Sequence, residues 1–340
     1  MKVAKIAVAA AAALTLLAGC STPGSTSTGA STPTSGGGAL NITVLPKNLG
    51  NPYFDTSTKG FQAAAAEIGA TVTQVGPTTA AADAQVPYIQ TATQQKVSAL
   101  AISANDPTAL CDALNAAMAA GVKVVTFDSD APGCRNLFIN QATADGIAKV
   151  LVDMITQQIG DSGDIAILSA AANATNQNAW IDLMKQDLAA NHPNVNLVDV
   201  VYGNDDDQTS FDQTSALLQK YPNLKGIVSP TTVGIAAAAR YLSTSSYKGT
   251  VALTGLGTPN DMRQYVTDGT VTEFALWNPQ DLGYLAAYAA KALVDGTITG
   301  KQGDTFSAGS LGTFTVGADS TVLLGDPYKF NKDNIGNFNF

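Results

Sequence analysis

A single histidine, three cysteines and two tryptophans are spread over 340 residues, and charged side chains make up only 13% of the chain. His192 lies in the polar turn NHPN. A multi-histidine metal centre or a Ser/His/Asp triad would have to be assembled on that turn, so both are disfavoured and no catalytic residue, metal or cofactor is expected. Basic residues are scarce as well, 18 against 27 acidic ones, for a net charge of -9. That balance argues against nucleic acid and against anionic membrane surfaces as partners. Beyond the first seventeen residues no run is apolar for long enough to cross a bilayer.

At the N-terminus, Lys2 and Lys5 precede an alanine- and leucine-rich run, Ile6 to Leu17, with the shape of a secretory h-region. It ends in Leu17, Ala18, Gly19 and Cys20, which resembles the lipobox of bacterial lipoproteins. The resemblance implies a signal peptide over 1–19, lipidation of Cys20, and attachment to the outer face of the cytoplasmic membrane through that lipid alone. From Ser21 to Gly38 the chain is almost wholly Ser, Thr, Gly, Pro and Ala, so 20–38 reads as a flexible tether. With Cys20 taken by lipid, Cys111 and Cys134 are left as a pair that an exported chain can oxidise, and a disulfide between them is expected.

After Ala39, strand and helix signals alternate. Apolar β-branched runs at 42–45, 71–75, 99–103 and 122–127 are separated by alanine-rich helical stretches at 54–68, 82–96 and 107–120. The pattern restarts beyond Gln141, with strands expected at 164–168, 195–202, 226–229 and 251–255 and helices at 143–158, 177–191, 207–220 and 233–242. One more strand (271–276) and one more helix (280–295) follow, then a tail rich in Gly, Asp and Asn. This predicts an α/β protein with two doubly wound parallel-sheet lobes and a ligand cleft between them.

The strand Val122–Phe127 stops at Asp128, Ser129 and Asp130, which places carboxylates at a strand's C-terminal end, the edge where open α/β sheets bind ligands. Asp128 and Asp130 equally suit capping of a loop, and two carboxylates two positions apart leave a glycosidase-like pair open. Gly255, Leu256 and Gly257 begin a dinucleotide fingerprint, but Asn260 stands where its third glycine belongs. The acidic run Asn204 to Asp207 lacks the spaced ligands of a calcium loop and reads as helix capping.

The segments LPKN, NPYF, VTFDSDAPGCRNLFINQ, TNQNAW, TGLGTPNDMRQYVTDGTVTEFALWN and FNKDNIGNFNF fall in order along the chain. Together they resemble the ribose-type periplasmic binding proteins of ABC importers, within them the branch that binds autoinducer-2 and rhamnose. The resemblance implies a monomeric substrate-binding protein, not an enzyme, whose lobes are joined by hinge strands and close on a sugar, polyol or furanone-like ligand before delivery to ABC permease subunits. The alternative is an autoinducer-2-type signal-binding protein whose closed form docks on a membrane sensor. The lobes are expected to comprise 39–142 plus 278–305 and 143–277 plus 306–340. In that branch a lysine after the first strand, the first aspartate of DSD, an Asp-Gln pair and a proline two residues before an alanine hold the ligand. The matching residues are Lys47, Asp128, Asn176 with Gln177, and Pro230 with Thr232; an amide replaces the second acid and a threonine the alanine. An acceptor (Asp128), a charged donor (Lys47) and amides that do both suit hydroxyls, which donate and accept at once. Phe54 and Trp277 are expected to offer flat apolar faces to a ring, whereas Tyr53 reads as packing.

Overall fold

The structure, a computed structural model, describes residues 39–340. The signal segment, Cys20 and the tether lie outside the described residues. Among the described residues no helix is long and apolar enough to cross a membrane.

The first half of the chain runs β1 (Leu40–Leu45), α1 (Pro52–Ile68), β2 (Ala70–Gln74), α2 (Ala82–Gln94), β3 (Ala99–Ile102), α3 (Cys111–Ala119), β4 (Lys123–Phe127) and β5 (Leu137–Asn140). These strands form one parallel sheet in the order β5-β4-β3-β1-β2. Its central strands are buried on both faces, which is why β3 reads ALAI without alternation. Asn51 starts α1 by accepting a hydrogen bond from the Tyr53 backbone N–H, Pro52 supplies a preset first turn, and Gly69 ends the helix in the left-handed region.

The second half contributes α4 (Ala144–Ile159), β6 (Gly163–Ser169), α5 (Thr175–Asn191), β7 (Val195–Tyr202), α6 (Asp207–Lys220), β8 (Gly226–Ser229), α7 (Thr232–Ser243), β9 (Ala252–Gly255), α8 (Pro259–Thr267) and β10 (Glu273–Leu276). A second parallel sheet has the order β7-β6-β8-β9, and Leu256 bridges on to Ala275 of β10. Helix α8 lies in a stretch between two expected strands for which the sequence predicts no element. Its mostly polar residues bury just Pro259, Met262, Tyr265 and Val266.

After β10 the chain returns to the first sheet. Helix α9 (Pro279–Val294) packs on α1 and on β3 and β4. There follow β11 (Thr305–Ser307), β12 (Thr313–Thr315), β13 (Thr321–Leu323) and β14 (Tyr328–Asn331). A lobe boundary at 305/306 is not what the pairing gives: β13 extends the first sheet alongside β5, and only β14 joins the second half, antiparallel to β10. The tail therefore crosses after Leu324, because the apolar Val322 and the hairpin β11–β12 complete the first lobe before Phe330 reaches the second core. With the passages between β5 and α4 and between β10 and α9, three segments cross side by side; Leu324 and Gly325 donate backbone hydrogen bonds to Asn140 and Gln141.

Candidate functional site

Both sheets turn their C-terminal strand ends toward one cleft. Lys47, two residues past β1, is 4% exposed, and its Nζ donates to Asn176 Oδ1 across the cleft at 3.0 Å. The same ammonium is 3.7 Å from Asp128 Oδ2. The turn that carries Lys47 is held from behind. Gln85 donates to the carbonyls of Pro46 (2.9 Å) and Ser103 (2.8 Å), and Asn105 Nδ2 donates to the Lys47 carbonyl (2.9 Å). Asp128 follows β4 in the left-handed region (φ 62), a conformation that Asp tolerates better than most residues, and this swings its carboxylate out of the strand's alternation. Ser103 Oγ donates to Asp128 Oδ2 at 2.7 Å, so one carboxylate oxygen is fixed by protein.

From the other lobe, α5 presents Asn176 and Gln177 in its first turn. Asn176 Nδ2 donates to the Asp128 carbonyl at 3.2 Å while its Oδ1 takes the lysine, so one amide engages two groups of the opposite wall. Gln177 Oε1 accepts from Ser169 Oγ (3.1 Å) and the Ala170 N–H (3.0 Å), which orients its NH2 end as the free donor. Pro230 ends the turn after β8, and Thr232 Oγ1 reaches Asn51 Oδ1 at 3.5 Å. Lys47, Asp128, Asn176, Gln177, Pro230 and Thr232, with Phe54 and Trp277, line one cavity of about 40 Å³.

A family profile described as "Periplasmic binding protein domain" matches residues 42–298. The chain belongs to the periplasmic binding protein family. Among solved structures, a sugar ABC transporter protein from Actinomyces odontolyticus shares 53% identity over 88% of this chain and 98% of its own, with a TM-score of 0.71. A solute-binding protein from Clostridium phytofermentas with bound L-rhamnose shares 40% over 88% and 98%, at 0.85. LsrB from Clostridium saccharobutylicum in complex with AI-2 shares 29% over 88% and 100%, at 0.83. The chain is thus a sugar-type substrate-binding protein of the ABC transporter class, a binder and not an enzyme, and it works outside the cytoplasm.

In this periplasmic binding protein the two DSD carboxylates do different jobs. Asp130 points away from the cleft, where Arg135 grips it with two 2.8 Å hydrogen bonds while donating to the Asp319 carbonyl of the tail. Asp128 and Asp130 therefore make no catalytic pair. Tyr53 packs as expected, buried edge-on against Phe54 and Trp277. Its hydroxyl also accepts from Trp277 Nε1 at 2.8 Å, and the residue lines the cavity because the Asn51–Pro52 start of α1 aims the first turn at the cleft. Burial first, then the charge of Asp128, pushes the Tyr53 hydroxyl well above its ordinary value. Trp180 meets Trp277 edge-on at 6.1 Å and, with Leu256 and Leu276, adds apolar lining to the cavity; all three stand inside the motifs that carry the resemblance but were not singled out as site residues. Asp205 also lines the cavity. Its signal was present in the acidic run, but the capping need of α6 absorbed it.

Proposed function

We propose that this binding protein captures a neutral 6-deoxyhexose of the L-rhamnose type, closes its lobes on it and delivers it to an ABC importer permease. The observation that carries the reading is the mixed lining of the cavity. Lys47, Asp128, Asn176 and Gln177 offer partners for hydroxyls, while Leu256, Leu276, Trp180 and Trp277 supply apolar surface. Aromatic faces suit any pyranose, but two leucines beside them suit a methyl group, whose burial contributes about 0.8 kcal/mol that a hydroxymethyl would forgo. The 40% identical relative with bound L-rhamnose supports the same assignment.

Lobe closure is supported by the four polar contacts that span the cleft, Lys47 and Asp128 to Asn176, Asn51 to Thr232, and Asn173 to Asp106. The relatives support it too. The more identical one superposes less well, 0.71 against 0.85, as a rigid-body difference between lobes would produce. Residues 20–38 would serve as a leash from a lipidated Cys20, so that Cys20→Ser should move the protein from the membrane fraction to the soluble exported fraction.

A thermal-shift panel of L-rhamnose, L-fucose, D-ribose, L-arabinose, glycerol and AI-2 tests the ligand class. At about 100 times its dissociation constant a ligand adds about 2.7 kcal/mol, and the deoxyhexoses are expected to give the large shift. A shift with pentoses or AI-2 and none with deoxyhexoses would sink the assignment.

A further inference from the structure

We infer that Asp205 is a ligand-contacting specificity residue which, with Asp128 from the opposite lobe, makes the closed cleft accept uncharged sugars and reject anionic ones. This rests on the sugar-binding reading above. The acidic run after β7 splits into three jobs. Asp206 caps α6, accepting from the Thr209 N–H at 2.8 Å and the Thr209 hydroxyl at 2.7 Å. Asp207 pairs with Arg240 on the surface. Asp205 remains, and two consecutive left-handed residues, Asn204 (φ 56) and Asp205 (φ 50), turn it into the cavity.

The cradle is built for a carboxylate that keeps one oxygen to spare. The buried Thr231 hydroxyl donates to Asp205 Oδ1, which leaves Oδ2 to accept from a ligand hydroxyl. Among the described residues Lys47 is the only cation lining the cavity, and its Nζ is already engaged by Asn176 Oδ1 and lies near Asp128. Two carboxylates face one ammonium. A ligand phosphate or carboxylate would add a third negative charge to a dry cleft with no free cation, whereas neutral hydroxyls meet acceptors on both lobes. Burial pushes the Asp205 carboxyl up, Lys47 draws it down and Asp128 adds to the rise, as expected for an acid placed where charge is crowded.

Calorimetry with L-rhamnose and L-rhamnose 1-phosphate, on the wild type and Asp205→Asn, decides the matter. Asparagine keeps the acceptor for Thr231, and an unchanged unfolding midpoint checks the fold. The wild type should bind rhamnose and leave its phosphate at least a hundredfold weaker. Asp205→Asn should lose at least tenfold for rhamnose and narrow the preference over the phosphate by at least tenfold. As a second variant, Thr231→Val should weaken rhamnose while leaving the preference unchanged. A wild type that takes the phosphate as readily, or an Asp205→Asn preference equal to wild type, overturns the inference. If the wild type binds D-ribose and not rhamnose, the deoxyhexose reading falls alone, and the same ratio taken with ribose and ribose 5-phosphate decides the role of Asp205. A wild type that binds none of these sugars overturns both.

Discussion

Asp128 and Asn176 show how much of a binding site can hang on two side chains. Asp128 balances Lys47 at 3.7 Å and takes the Ser103 hydroxyl, so truncation strands a 4% exposed ammonium in the cleft. Asp128→Ala is expected to weaken binding of the sugar found by screening at least tenfold, about 1.4 kcal/mol, measured by calorimetry. Wild-type affinity in that variant would mean the ligand sits elsewhere. Asn176 is the latch between the walls, one end accepting from Lys47 and the other donating to the Asp128 carbonyl. A carboxylate cannot donate that second bond and would bring negative charge beside Asp128. Asn176→Asp should therefore weaken the neutral sugar, with an unchanged affinity counting against the latch.

At the scale of elements, α1 and α9 approach so closely that each needs a glycine. A Cβ on Gly60 would run into the Gln280 backbone, and one on Gly283 into Ser57. Gly60→Ala is expected to cost about 1 to 3 kcal/mol, read from denaturant unfolding, since backbone cannot rotate away as a side chain can. The disulfide between Cys111 and Cys134 joins the start of α3 to the loop after β4, with Cα atoms 5.2 Å apart. It closes a loop across 23 residues and braces the strand end that carries Asp128. The unreduced exported protein should show no reactive thiol, and Cys111→Ser with Cys134→Ser should lower stability by about 3 kcal/mol.

For the whole molecule, three crossing segments make a hinge, and X-ray scattering should report a smaller radius of gyration at ligand saturation than without ligand. An unchanged curve would argue for a rigid cleft. Acid should unfold the protein through exposed carboxylates that the fold hydrogen-bonds. The Tyr284 and Tyr288 hydroxyls hold Glu67 below the usual range, and backbone N–H groups of Thr209 and Thr299 do the same for Asp206 and Asp304. A depressed folded value means the unfolded chain binds more protons in that window. The stabilisation is then complete above the ordinary carboxylate range and is lost as pH falls below about 4. Asp205 and Asp281, raised chiefly by burial, act in the opposite sense. A thermal midpoint that held steady from pH 5 to 2 would contradict the larger group.

The alternation of buried strands with alanine-rich helices was enough to determine the doubly wound sheets, because central parallel strands must be apolar on both faces wherever they occur. The end of the strand before Asp128 likewise exposed that carboxylate, since such sheets bring strand ends to one edge. Lys47, Asn176, Gln177 and Pro230 were marked by the resemblance of their motifs to the ribose-type binding proteins. Other features depended on contacts far apart in sequence. Trp180, Leu256 and Leu276 lie inside motifs that carry the resemblance, yet nothing local joins them; α5, the turn after β9 and the end of β10 bring them to one cavity. Three adjacent aspartates look alike in sequence, yet two left-handed residues send one to the cleft, one to a helix cap and one to an arginine. The sequence placed the tail beyond residue 305 whole in the second lobe for the same reason. Partners more than 50 residues away, β10 and β5, determine which lobe each strand completes.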